Sequence, residues 1–459
     1  MVNFLYPFGA LVSVFICGKV VARYGRRSIL YAGEILALLT LAVYMPVTIP
    51  TLYIARFLSG VVVGMNLASY TIILAEMMPS RLIGIGNALG FFLISFGIFL
   101  GLICQNVFSY SEMVTYWRVF ILYPGVVSIF RLASFPYVMP KETPEYILDN
   151  DADPTKCRAE LIQSYSVIYT LETATDLAEH RIVERSTTSY KRVILGYRDM
   201  FKPRYRKSLA ACCLLAYIYQ FCGINYFSVY STAMFDSMAG NGKQVSLATG
   251  STLLLVSMIS PLFTIYTGRK NLIVAASFSY GVGFLLIVIG LTSKTTWLMI
   301  LGAILCQIAF GGFGPSVTTY LGEALPPPGV GIGLGVVWLG AAVLGLLLPI
   351  IRPAVGDLAL LLFFMATCFI FTPIMYLVLV ESKGRSLLEI TEEFFEKPLF
   401  SLKKGFRKAP NQRPSVSVGI ESGADKGDEK IVRDRAIDNA NRDKISNQDG
   451  LETEREKIA

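Results

Sequence analysis

Apolar runs of about twenty residues recur along the whole chain, and each is long enough to cross a hydrocarbon core about 30 Å thick. Eleven such runs can be read, at about 4–22, 28–47, 51–75, 84–108, 117–139, 208–235, 246–267, 272–291, 296–322, 329–350 and 358–380. The 459 residues are 54% hydrophobic and only 16% charged. A soluble domain carries about 25% charged residues, so this chain lacks the polar surface that water demands. The reading is an all-α polytopic membrane protein. A β-barrel does not fit, because its strands would alternate in polarity and be about half as long.

The net charge of +8 does not point to nucleic acid, because the basic residues flank the apolar runs. Lys19, Arg23, Arg26, Arg27, Arg81, Arg269 and Lys270 fall in alternate loops, together with the basic residues of 191–207. The opposite loops, near Pro46–Thr51, Ser109–Tyr116 and Asp236–Val245, are almost free of positive charge. This asymmetry predicts a cytoplasmic central loop and C-terminus, with Met1 outside. The plasma membrane is the default location, and the lipid bilayer is the one partner that composition requires.

Other chemistries find no support in the residues. The eight cysteines are scattered without CxxC spacing, and the lone His180 sits in a polar stretch without a partner. No metal or cofactor is indicated, no nucleophile–base pair suggests an enzyme, and no P-loop suggests ATP-driven transport. The first apolar run is followed by basic residues and has no cleavage site, so it is not read as a signal peptide. The expected organisation is five spans over 1–139 and a central cytoplasmic loop with short helices over 140–207. Six spans follow over 208–380, and then a tail over 381–459 that is too polar to fold from about 403.

Pieces of the two halves repeat in order. RYGRR (23–27) returns as YTGRK (266–270), and AEMMP (75–79) returns as GEALP (322–326). KETPE (141–145) returns as VESKGRS (380–386). Three echoes in step imply two related bundles. Gly60 with Gly64, and the Gly331–Gly335 run, have the spacing that lets helices approach closely.

Taken together, these motifs resemble those of the sugar porters of the major facilitator superfamily. YIARFLSGVVVG (53–64), the WR pair at 117–118, QFCGIN (220–225), GFGP (312–315) and VESKGRSLLEI (380–390) extend the likeness over nearly all of residues 5–395. The resemblance implies two six-helix bundles around a central site that opens alternately to either side. It also implies twelve spans, so that residues 4–22 match the second helix of the family. Either the gene extends further upstream or the protein begins at Met1; the first is the expectation, because Arg56 lies on an intramembrane helix where a charge needs a partner or a wet cavity, unless it sits near the outer end and snorkels to the headgroups.

The resemblance further implies a substrate, a hexose or similar small polar solute. Amide side chains suit such a ligand because they both donate and accept hydrogen bonds. Gln105, Gln220 and Asn225 match sugar-contacting positions; the alternative for Gln105 and Asn225 is hydrogen bonding between helices. Tyr219, Leu253, Phe310, Thr318 and Val337 depart from the family's polar or aromatic residues, which predicts weakened hexose selectivity.

For a cytoplasmic gate the resemblance points to Arg26, Arg27, Glu76, Glu142, Arg269, Lys270, Glu323 and Glu381, with Glu76 meeting Arg26 or Arg27 and Glu323 meeting Arg269 or Lys270. Ile83 and Val330 stand where arginines are usual, and these matched losses predict a less favoured outward-open state. Two alternatives to hexose transport remain: transport of another small organic solute, and a non-transporting sensor or regulatory membrane protein. The oligomeric state is not legible.

Overall fold

The computed structural model of the chain describes residues 2–46, 48–78, 82–107, 110–138, 142–143, 146–147, 154–166, 170–187, 196–239, 242–385 and 387–396. Among these, five helices make up the first half: α1 (Val2–Tyr24), α2 (Arg26–Tyr44), α3 (Ile49–Met77), α4 (Ile83–Val107) and α5 (Tyr110–Val138). Two shorter helices follow, α6 (Pro154–Ser166) and α7 (Leu171–Thr187), and then a 3-10 turn over Tyr197–Phe201. The second half holds α8 (Pro203–Phe221), α9 (Ile224–Ala239), α10 (Gly242–Tyr266), α11 (Arg269–Thr292), α12 (Thr296–Ala324), α13 (Pro327–Val378) and α14 (Leu387–Glu396). Residues 1–402 form one compact unit; a second unit, Lys403–Ala459, lies outside the described residues, and with it the expected unfolded tail.

Eight of these helical stretches are long and apolar enough to cross a membrane. Two departures from simple rods explain how they relate to the eleven apolar runs. The run over 208–235 is not one rod, because Gly223 takes φ +87° between α8 and α9 and breaks the helix there. At 52 residues, α13 would be about 78 Å long at 1.5 Å per residue, more than twice the thickness of a bilayer. Gly356, at φ +80°, divides it into two arms, each long enough to span. With α13 counted twice and α1 and α5 added, the helices match the runs.

The membrane environment shows in what the surface exposes. Leu93, Phe130, Ile350 and Phe363 are each more than half exposed, on helices where water would drive such side chains inward. Buried charged side chains are found in ion pairs instead. Glu34 of α2, itself buried, meets Arg131 of α5 at 2.7 Å, which ties α5 to α2.

Close packing between helices depends on small residues. At Gly60 a side chain would run into the carbonyl of Tyr6, and at Gly64 into Ser13 and the Ala10 carbonyl, so α3 lies directly on α1. Helix α1 also runs along the first arm of α13, with Phe15 against Gly335 and the Asn3 carbonyl against Gly345. Phe91 of α4 fills the space beside Gly314 of α12, and Leu102 of α4 the space beside Gly250 of α10. The two halves of the chain therefore touch along two seams. Outside the spans, α6 and α7 form a small hairpin around Cys157, Leu161, Tyr165, Ala174 and Ala178.

Candidate functional site

Two cages of charge sit where the repeated motifs meet. In the first, the Arg26 Nε donates to both oxygens of Glu76, at 3.1 and 2.9 Å, and its Nη2 donates to the same carboxylate. Thr143 Oγ1 donates to Glu76 Oε2 at 2.6 Å. Glu142 takes the backbone N–H groups of Arg26 and Arg27 at 3.0 and 3.2 Å, and so caps the N-terminus of α2. That cap comes so close to Gly25 that a side chain there would collide with it, and Gly25 itself adopts φ +89°. Glycine is required there on both counts.

The second cage repeats the first with different weights. Arg269 Nη2 donates to Glu323 Oε1 at 3.3 Å, and Nη1 donates to the Thr264 carbonyl at 2.6 Å. Ser382 takes the place of Thr143, donating to Glu323 Oε2 at 2.6 Å. Glu381 accepts from the backbone N–H of Arg269 at 2.7 Å, capping α11 as Glu142 caps α2. Arg269 is 2% exposed and abuts Gly84 of α4, in the other half of the chain. Despite isoleucine at 83 and valine at 330, both cages are therefore formed in this conformation, and Arg269 lies beside Ile83's neighbour.

The 3-10 turn adds a third link at the same end. Met200 is fully buried, with its sulfur beside Gly329 of the second half. Tyr197 Oη donates to the Phe15 carbonyl of α1 at 2.6 Å. Asp199 accepts from the Gly196 N–H at 2.7 Å and pairs with Lys202 at 2.6 Å, and these two partners hold its carboxyl below its usual range.

A cavity of about 250 Å³ lies towards the other end of the spans. Its polar lining comes from Asn3, Tyr6, Arg56, Asn225, Tyr230 and Trp338, and α1, α3, α9 and α13 all contribute to its wall. Pro7, Val229, Ala341, Leu344, Gly345 and Leu348 complete the lining, so polar and apolar groups share one cavity, as a ligand with an apolar face and polar edges requires. The Trp338 Nε1 is buried with no acceptor among the described residues.

The expected ligand residues separate here. Asn225 lines the cavity and donates through Nδ2 to Gln220 Oε1. Gln220 is 5% exposed, packed against Gly340, and is not part of the lining. The side chain of Gln105 lies outside the described residues. Of the expected gate residues, Arg26, Glu76 and Glu142 meet in one cage and Arg269, Glu323 and Glu381 in the other. Arg27 adds its backbone N–H to Glu142 and stacks on Tyr31, while Lys270 lies 4.7 Å from the Tyr376 ring. The departures at Tyr219 and Phe310 form an aromatic cluster with Phe91 and Phe313, with ring centroids 5.1 to 6.4 Å apart.

Sequence reading did not single out Tyr6, Tyr197, Tyr226, Tyr230, Arg352 or Asp357. The one signal for the last two was a charged pair five residues apart around Gly356, flanked on both sides by apolar sequence.

The chain is similar to known proteins. Residues 1–394 match the family described as "Sugar (and other) transporter". The chain is 25% identical over 412 residues to the mouse "Solute carrier family 2, facilitated glucose transporter member 7", covering 85% of this chain and 78% of that protein. It is also 25% identical over 405 residues to the glucose transporter GlcP of Staphylococcus epidermidis, covering 85% and 87%. Among solved structures, the XylE proton:xylose symporter superposes with a TM-score of 0.70 at 16% identity, over 85% of this chain and 88% of that one. That likeness shows the major facilitator fold. The chain is an integral membrane protein of the sugar transporter family.

Proposed function

We propose that this protein carries a hexose or a similar small polar solute across the membrane by alternating access, without catalysing a reaction. The observation that carries the reading is the cavity: α1 and α3 of the first half and α9 and α13 of the second share one polar and aromatic wall. A site walled by both halves opens to one side or the other as the halves rock. In this reading Asn225 contacts the solute, Gln220 holds Asn225 in place, and Gln105 is a further contact by its match to the family motif. The two cages and the Tyr197 link stabilise the conformation closed at the end that bears the basic loops. That end is cytoplasmic by the positive-inside rule, so the cavity belongs to the outer side and the C-terminus to the cytoplasm. The plasma membrane is the expected location.

The apolar part of the cavity lining, from Pro7, Val229, Ala341, Leu344 and Leu348, favours weaker discrimination between hexoses and related solutes, since apolar walls reject analogues less strongly than polar ones. Uptake of labelled hexose into liposomes holding the purified protein tests the proposal, with unlabelled pentoses, polyols and hexoses as competitors. Saturable uptake, blocked by several of these sugars, is expected. Uptake no faster than in protein-free liposomes would overturn it.

A further inference from the structure

We infer that Asp357 is a positioning residue for transport: it clamps the α9 wall of the cavity through Tyr226 and Arg352. Asp357 follows Gly356, the glycine at which α13 divides into its two arms. Its Oδ1 accepts from the Tyr226 hydroxyl at 2.6 Å and from Arg352 Nε at 2.6 Å, while Oδ2 accepts from Arg352 Nη2 at 3.0 Å. One carboxylate thus joins the two arms of α13 to each other and both arms to α9. The Arg352 guanidinium lies 4.8 Å from the Tyr230 ring centroid, a second hold on α9 one turn further along.

The clamp bears on the cavity because of where α9 begins. Gly223, at φ +87°, separates α9 from α8, so α9 is a half-helix with a joint at its base. Its cavity face presents Asn225, Val229 and Tyr230. Tyr226 adjoins Asn225 in sequence and is 1% exposed. A buried phenol is costly without an acceptor, and a charged acceptor makes one of the stronger hydrogen bonds available. Rotation of α9 about Gly223 would break that bond and move Asn225 and Tyr230 together. The clamp therefore sets the distance between the α9 wall and the Leu344 side of α13, across the cavity.

The effect on transport rests on the proposed function, so the test has one arm that does not. Leu344 lines the cavity and is 5% exposed. In intact cells, a cysteine introduced at Leu344 is reacted with a membrane-impermeant maleimide, and labelling of the chain without it is subtracted. Tyr226→Phe cuts the link to α9 and leaves the Arg352–Asp357 pair whole. It is expected to speed labelling about tenfold, and to raise KM for hexose uptake by a similar factor with Vmax within about twofold. Asp357→Asn, which keeps an acceptor but loses the charge, should give a smaller change in the same direction. Unchanged labelling and KM in a normally expressed Tyr226→Phe protein would overturn the clamp. If the parent takes up no hexose, the transport reading fails by itself and the labelling rate alone decides the clamp.

Discussion

The two charge cages carry the same parts but distribute them differently. Around Arg26 the guanidinium spends its bonds on one carboxylate, through two nitrogens, all within the first half of the chain. Around Arg269 the guanidinium divides between a carbonyl and a longer 3.3 Å bond to Glu323, and it lies against Gly84 of the other half. The first cage holds one half together. The second also forms part of the seam between halves.

The largest expected effect separates them by stability. Glu76→Leu leaves Arg26 buried without its main partner and should cost about 3–5 kcal/mol, seen as a steep fall in the thermal midpoint of the detergent-solubilised protein. Glu323→Leu removes the bonds from Arg269 and Ser382 but leaves Arg269 on the Thr264 carbonyl, so about 1–3 kcal/mol is expected. Equal losses would break the comparison. Gly84→Val sharpens it: the added side chain pushes on Arg269 and should cost about 1–3 kcal/mol. It should also raise thiol labelling at the basic-loop end, a change that no substitution confined to the first cage should match.

Removing the caps should matter less, and equally. Glu142→Gln and Glu381→Gln each weaken a carboxylate at a helix N-terminus, worth about 0.3–1 kcal/mol, again by thermal midpoint. Asp199 is the control, a carboxylate outside both cages. Because Lys202 and the Gly196 N–H hold its carboxyl below the ordinary range, its contribution is present at neutral pH. It is lost only as pH falls through that lowered value. Asp199→Asn should therefore lower the midpoint slightly at pH 7, less than either cap substitution, and the difference from the parent should fade in acid.

What the sequence made legible follows the same division. Arg26, Glu76, Arg269 and Glu323 stood in motifs repeated at fixed order, and so did the capping carboxylates Glu142 and Glu381, although each lies more than a hundred residues from the helix it caps. The helix break at Gly223 was hidden, because 208–235 reads as one apolar run and only the backbone angle marks it, whereas the break at Gly356 falls in the gap between the runs 329–350 and 358–380. Gln220 was legible as a polar residue in an apolar span, but its bond to Asn225 turns it away from the cavity lining. Tyr6, Trp338 and the Tyr226–Asp357 bond depend on helices more than a hundred residues apart, and no periodicity along a single chain encodes such meetings.

The central claim is that the cavity bearing Asn225 binds the transported solute. Concentration-dependent uptake of labelled hexose by Asn225→Ala, set beside the parent in liposomes of equal protein content, tests it most directly. Loss of a bonding group from a buried polar site predicts a rise in KM of about tenfold or more, with the thermal midpoint changed little. Saturable uptake with KM unchanged in Asn225→Ala would contradict the account and place the solute elsewhere.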